Sequence, residues 1–310
     1  MINFRFHLVS LTGIFLALGI GIAVGATVVD RATVDALESR LRRVEQRVDT
    51  TDRENERLQR DLQGWAAFAE QGGDAAVAGR LEGVPVLVLG VRGIDRRPVD
   101  ELRQDLGAAG AQLGGTAWFT SKFKLEKPED VAQLAEIVGV APRGALSVRR
   151  NAVTRVAAEL AAEQRSALLV ALRDAAFVDF EDPAGGPVDL AAVPVAGSRF
   201  VVVSGAGAEV ANEDLAIPLA QQLSHAARAR VLAVEAGREG RGDKAQAVRA
   251  AFVGPLRVDE GLAGLISTVD NLEDFRGRFA AVYAVRDLGD AKVGHFGVGR
   301  GATALVPESA

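Results

Sequence analysis

From His7 to Val29 the chain carries no Asp, Glu, Lys or Arg, and immediately afterwards, from Val34 to Trp65, apolar residues return on a seven-residue repeat among many charges. The first stretch, Leu8 to Val29, has the length that a helix needs to cross a bilayer, about 20 residues. Val24-Gly25-Ala26 would suit a signal peptidase, but the run exceeds the roughly 7–15 apolar residues of a signal h-region, so an uncleaved anchor is the expectation. Gly13, Ala17, Gly21 and Gly25 recur every fourth position and fall on one helical stripe, the spacing that lets two membrane helices approach closely. Small residues are also simply common in such helices.

In the second stretch, with Val34 at position a, the a positions hold Val34, Leu41, Val48, Asn55 and Leu62, and the d positions hold Leu37, Val44, Thr51, Leu58 and Trp65. This pattern predicts a coiled coil; a single amphipathic helix packed on its own domain is the competing reading. In a parallel dimer Arg40 would face Glu45 and Arg47 would face Asp52, both of opposite sign. Asn55 at an a position favours two strands in register at some cost in stability. A parallel homodimer satisfies both the small-residue stripe and the seam. Gly72-Gly73 is expected to end this helix, with a linker reaching Gly83.

Beyond Gly83 the pattern changes to short buried-strand runs, Val84–Val91, Ala111–Phe119, Phe200–Ser204 and Val231–Glu235. Helical spacings alternate with them, over 100–109, 128–138, 153–175, 213–228 and 271–288. Alternation of this kind predicts βαβ units and a mainly parallel sheet covered on both faces. Asp179 to Pro194, rich in proline and glycine, reads as a surface loop. The predicted architecture is therefore α/β: residues 1–29 a cytoplasmic tip and transmembrane helix, 30–71 a parallel coiled coil, 72–83 a linker, and 84–310 an extracytoplasmic, Rossmann-like domain. More arginines follow the span than precede it, which by charge alone would put the amino terminus outside. Large domains translocate largely regardless of charge, and the expectation is amino terminus inside, bulk outside.

Composition narrows the function. A net charge of −5 gives no electrostatic footprint for nucleic acid. There is no cysteine, and Met1 is the only methionine, so the soft ligands that Cu(I) prefers are scarce. His7, His225 and His295 show no paired metal-site spacing. No metal set, catalytic set or cofactor motif declares itself, and the chain does not read as an enzyme; Ser204, His225 and Asp270 make a triad only on paper.

Ligands of open α/β sheets settle beyond the carboxyl ends of the strands. The candidate ligand-facing positions there are Asp95, Ser204, Gly205, Gly207, Asp270, Asn271 and His295. Ser204-Gly-Ala-Gly207, between a strand and a helix, could offer amides to an anion, yet it lacks the third glycine of a dinucleotide fingerprint and the lysine of a P-loop. A plain turn is the competing reading.

The amino-terminal run Phe6-His-Leu-Val-Ser-Leu-Thr-Gly-Ile-Phe-Leu-Ala-Leu-Gly-Ile-Gly-Ile-Ala-Val-Gly25 resembles the start of the actinobacterial MctB family of copper transporters. Ser267-Thr-Val-Asp-Asn-Leu-Glu-Asp-Phe-Arg-Gly277, Gly294-His-Phe-Gly-Val-Gly299 and Leu305-Val-Pro307 resemble its closing segment. The resemblance implies a single-pass envelope protein of the cell membrane connected with copper efflux or tolerance, with copper as a possible partner. It also brings in a relative, the cell-division membrane protein SteB, and with it an envelope partner, a peptidoglycan hydrolase, engaged through the coiled coil. No metal-binding set of the family maps onto residues here.

Overall fold

The computed structural model describes residues 4–162, 167–182, 190, 193, 196–227, 230–237 and 251–308. The chain divides into two units, Met1–Ala67 and Phe68–Ala310. Helix α1 runs Phe4–Val77. Within the first unit, Phe4–Gly25 is long and apolar enough to cross a membrane. Within it the Thr12 hydroxyl donates to the Leu8 carbonyl at 2.8 Å, so the helix satisfies that group internally. Further along, Arg42–Glu38 and Arg57–Asp61 pair one turn apart on the exposed surface, contacts worth a few tenths of a kcal/mol, about 0.3–0.5 each. The apolar seam residues stay uncovered: exposure runs from 46% at Leu58 to 71% at Trp65.

Gly72 and Gly73 do not end α1, which continues to Val77. Glycine inside a helix costs only about 1 kcal/mol, and here the second one has a packing reason. A Cβ on Gly73 would lie 2.7 Å from the ring of Phe275. The chain leaves the helical conformation at Gly79, whose φ is +70°, a value that glycine adopts without the Cβ penalty.

The second unit carries a seven-stranded sheet of order β3-β2-β1-β4-β5-β6-β7, in which β1 is Pro85–Val91, β2 Gln112–Phe119, β3 Val178–Glu181, β4 Arg199–Ser204, β5 Val231–Glu235, β6 Ile266–Val269 and β7 His295–Phe296. All neighbouring pairs are parallel except β2 with β3. The order reverses between β1 and β4, as in doubly wound nucleotide-binding folds. Alternate residues of the strands go to opposite faces: Leu87, Leu89 and Val91 to one, with α3 to α6 (Pro128–Ile137, Ala145–Ala162, Leu168–Asp174, Ala216–Ala226). Val86 and Val88 go to the other, with α2 (Arg97–Ala108), Val77 at the end of α1, and α9 (Phe275–Asp287). Helices α7 (Val253–Val258) and α8 (Glu260–Ala263) precede β6. Burial on both faces is why these strands read as unbroken apolar runs.

Three sequence expectations are corrected here. The stretch 153–175 falls in two helices, α4 Ala145–Ala162 and α5 Leu168–Asp174, the second starting after Ala167, with 163–166 outside the described residues. Asp179 to Pro194 is not all loop, because Val178–Glu181 forms the antiparallel edge strand. Val178 is buried, and Arg92, Arg96 and Arg103 pair with Asp179 and Glu181 along the strand; most of 183–195 lies outside the described residues. Helix α9 starts at Phe275, capped by Asp274.

Candidate functional site

The rim at the carboxyl ends of the strands is where the fold would take a ligand, and main chain fills much of it. At the β1/β4 reversal the Glu209 amide donates to the Arg92 carbonyl at 2.7 Å. Gly93, at φ +96°, lies so close to the Gly207 carbonyl and the Glu209 amide that a Cβ would collide with both. Gly205 abuts the Ala236 carbonyl in the same way. Ser204 is buried, donating to Asn212 Oδ1 at 2.6 Å, while Asn212 Nδ2 donates to the Gly205 carbonyl at 3.2 Å. Helix α6 begins only at Ala216. The turn whose amides could have met an anion is therefore packed between strands, and the amides of 204–207 do not sit at a helix start. Asp95 accepts from its own neighbour, the Arg97 amide, at 3.0 Å and closes the turn into α2.

Asp270 and His295, by contrast, are brought together, through a residue that the sequence reading missed. Arg257 on α7 is buried and all three of its guanidinium nitrogens donate. Nε donates to Thr268 Oγ1 at 2.8 Å, Nη1 to Asp270 at 2.5 Å and to the Arg300 carbonyl at 3.2 Å, and Nη2 to the Phe296 carbonyl at 2.8 Å. The Asp270 carboxylate also accepts the amides of Val298 and Gly299 at 2.8 and 2.9 Å. A Cβ on Gly297 or Gly299 would run into that carboxylate, and one on Gly301 would stand 3.2 Å from the Arg257 side chain. The glycines of Gly294-His-Phe-Gly-Val-Gly thus let the closing loop wrap a buried ion pair. The two closing motifs, around Asp270 and around His295, form one structural unit. The available signal was a lone arginine in the apolar run Val253-Gly-Pro-Leu-Arg-Val.

His295 Nδ1 lies 3.0 Å from Thr268 Oγ1. The same hydroxyl accepts from Arg257 Nε, so imidazole, hydroxyl and guanidinium form one chain of contacts. Burial lowers the His295 pKa, the Arg257 charge lowers it further, and the Ala263 carbonyl works against both. A folded-state pKa below the unfolded value, about 6.5, leaves stability in place above that pH and removes it as the pH falls below. Urea unfolding of the full chain should therefore show stability dropping from neutrality toward pH 5, and His295→Gln should flatten that dependence. An unchanged slope in the variant would show that the imidazole is not the source.

Asn271 is also buried, with neither amide atom hydrogen-bonded among the described residues. A Cβ on Gly277 would lie 3.0 Å from its Cγ, so the side chain sits under the first turn of α9. The paper triad is not assembled: Ser204 serves Asn212, Asp270 serves Arg257, and His225 is exposed on α6. No group of three or more His, Asp or Glu suited to a metal occurs among the described residues.

The rim also gathers charges on the far side of the sheet. Arg92 reaches Asp179 and Glu181, Arg96 reaches Glu181, and both guanidiniums lie over the ring of Trp118, at 5.0 and 5.7 Å from its centre. These pairs pin the edge strand to the start of α2.

The family model for the copper transport outer membrane protein MctB matches residues 1–307. The chain belongs to the MctB family. Copper transporter MctB of Mycobacterium tuberculosis (strain H37Rv) is 26% identical over 326 residues, which is 98% of this chain and 99% of that protein. Copper transporter MctB of Mycobacterium leprae is 26% identical over 331 residues, 99% of this chain and 100% of the relative. MctB kinship therefore extends through the apolar helix, the heptad stretch and the α/β unit alike.

Proposed function

We propose that this MctB-family chain is a single-pass envelope protein of the cell membrane that serves copper transport or tolerance as a dimeric scaffold, without itself ligating or conducting the ion. The amino terminus lies inside and the α/β unit outside. The observation that carries the reading is the helix on which a 22-residue apolar span is followed by an uncovered heptad seam. Burying a Val or Leu side chain is worth about 1.5–3 kcal/mol, so the seam is a strong incentive to pair with a second copy, and Asn55 favours two strands in register.

The chemistry of the ion supports the negative half of the proposal. Cu(I) favours thiolate and thioether ligands, and the chain offers no cysteine and one methionine. The most enclosed imidazole, His295, spends Nδ1 on Thr268 beside a guanidinium, a poor setting for a cation. One apolar helix without a charged or hydroxyl-rich stripe makes no water-filled path by itself.

The seam also supports a second reading, in which the dimer presents its coiled coil to an envelope partner such as a peptidoglycan-remodelling enzyme. Full-length protein in mild detergent tests both. Light scattering should give a dimer, and Leu41→Asp with Leu58→Asp should give a monomer while leaving the α/β unit folded. Calorimetry with copper in each oxidation state should show no affinity tighter than about micromolar. A monomeric wild type removes the scaffold, tight copper binding removes the indirect role, and capture of the same envelope partner by wild type and the seam variant alike removes the second reading.

A further inference from the structure

At the opposite end of the sheet from the rim, at the amino ends of β4 and β5, lies an open cleft of about 610 Å³ lined by Gly197, Arg199, Ala227, Arg230, Leu288 and Gly289 among others. Apart from Leu288, its lining is glycine, alanine and two arginines. Arg199 Nη1 donates to the carbonyls of Val285 and Arg286, at 2.6 and 3.1 Å, closing the carboxyl end of α9. Arg230 Nε donates to the Ala227 carbonyl at 3.0 Å, closing the end of α6. Capping helix ends is thus the first task of both side chains. For Arg199 it uses one nitrogen of three; Nε and Nη2 take part in no hydrogen bond among the described residues. Gly289 makes room for the guanidinium, since a Cβ there would strike Arg199 Nη2. Burial lowers the Arg199 pKa; the Asp290 carboxylate opposes this and the Arg230 charge adds to it. Asp290 is itself engaged by Lys292 at 3.3 Å.

We infer that this cleft is a binding site for a phosphate group, held by the free edge of the Arg199 fork with the Arg230 charge beside it. A half-buried guanidinium with unused N–H donors and a like charge next to it is stabilised by a dianion, and its planar fork fits two phosphate oxygens at once. The small side chains of the floor leave space for a tetrahedral group. The same chemistry is offered by free phosphate and by a phosphomonoester lipid headgroup.

The test is calorimetric titration of inorganic phosphate into the full chain reconstituted in phosphatidylcholine nanodiscs, repeated in discs doped with phosphatidic acid. Saturable binding is expected in the first. Loss of that binding in the doped discs assigns the cleft to a headgroup, and its persistence assigns it to a soluble phosphate. Arg199→Gln should weaken the affinity roughly ten-fold or more. Because that change also uncaps α9, Gly289→Ala serves as a second variant: it displaces the guanidinium tip without removing the charge, and it should weaken binding while circular dichroism stays native. Absence of saturable phosphate binding by the folded wild type overturns the inference, as does an affinity that neither variant alters.

Discussion

Replacing Arg257 by methionine is expected to destabilise the α/β unit by roughly 3–5 kcal/mol, because it strands the Asp270 carboxylate in a buried setting. Asp270 and Arg257 are each 1% exposed at the side chain, so neither charge can recover its hydration by a small shift. Asp270→Asn should cost a similar amount by leaving the guanidinium uncompensated. The double variant Arg257→Met, Asp270→Leu should recover part of the loss, since a buried pair replaced by apolar groups of similar volume is often close to neutral. It should not recover all of it, because the carbonyls of Phe296 and Arg300 and the amides of Val298 and Gly299 lose their partners together. Urea unfolding followed by tryptophan fluorescence checks this, with Trp118 reporting from the buried core. Additive single effects would mean that the two side chains act separately and that the closing loop is held by something else.

The second large effect reverses the usual sign of a helix substitution. Glycine to alanine inside a helix ordinarily stabilises by up to about 1 kcal/mol. At Gly277 in α9 the new Cβ would press into the main chain of Asn271, 2.5 Å from its carbonyl carbon, and backbone cannot swing aside as a side-chain tip can. Gly277→Ala should therefore destabilise by roughly 1–3 kcal/mol, the cost of overpacking a filled space. Gly107, exposed near the end of α2, has its nearest neighbour 4.0 Å from the corresponding position. Gly107→Ala should leave stability unchanged or raise it slightly. Two helical glycines changed in opposite directions would separate packing from propensity within one protein. Equal responses would sink the packing account of the α9 start.

The regular parts of this chain were legible because each obeys one period throughout. The uncharged run to Val29, the heptad from Val34 to Trp65 and the β-branched runs at Val84–Val91 and Phe200–Ser204 are all local patterns. Each can be read within a window of a few turns, without knowledge of what packs against it. The edge strand Val178–Glu181 escaped because its pairing depends on arginines some eighty residues away. The start of α5 after Ala167 escaped because alanine is a good helix former and announces no boundary. Among the candidate site residues, Asp95, Ser204 and Asp270 lie at or just beyond the carboxyl ends of β1, β4 and β6. What each does there was not readable, since a turn that offers its amides and a turn packed against a neighbouring strand have the same sequence.

Local pattern by itself determined the anchor-length apolar helix, the helical run that follows it and the alternating α/β order, because apolar periodicity needs no knowledge of distant contacts. Tertiary structure alone decided that Gly93 and Gly207 close the crevice at the β1/β4 reversal. It alone joined Arg257, Thr268, Asp270 and His295 into one buried network beneath the closing loop, and set Arg199 beside Arg230 at the far end of the sheet. Charges are drawn together or walled off by the crossing of strands remote in sequence, and the free energy of a buried charge depends on whichever partner that crossing delivers.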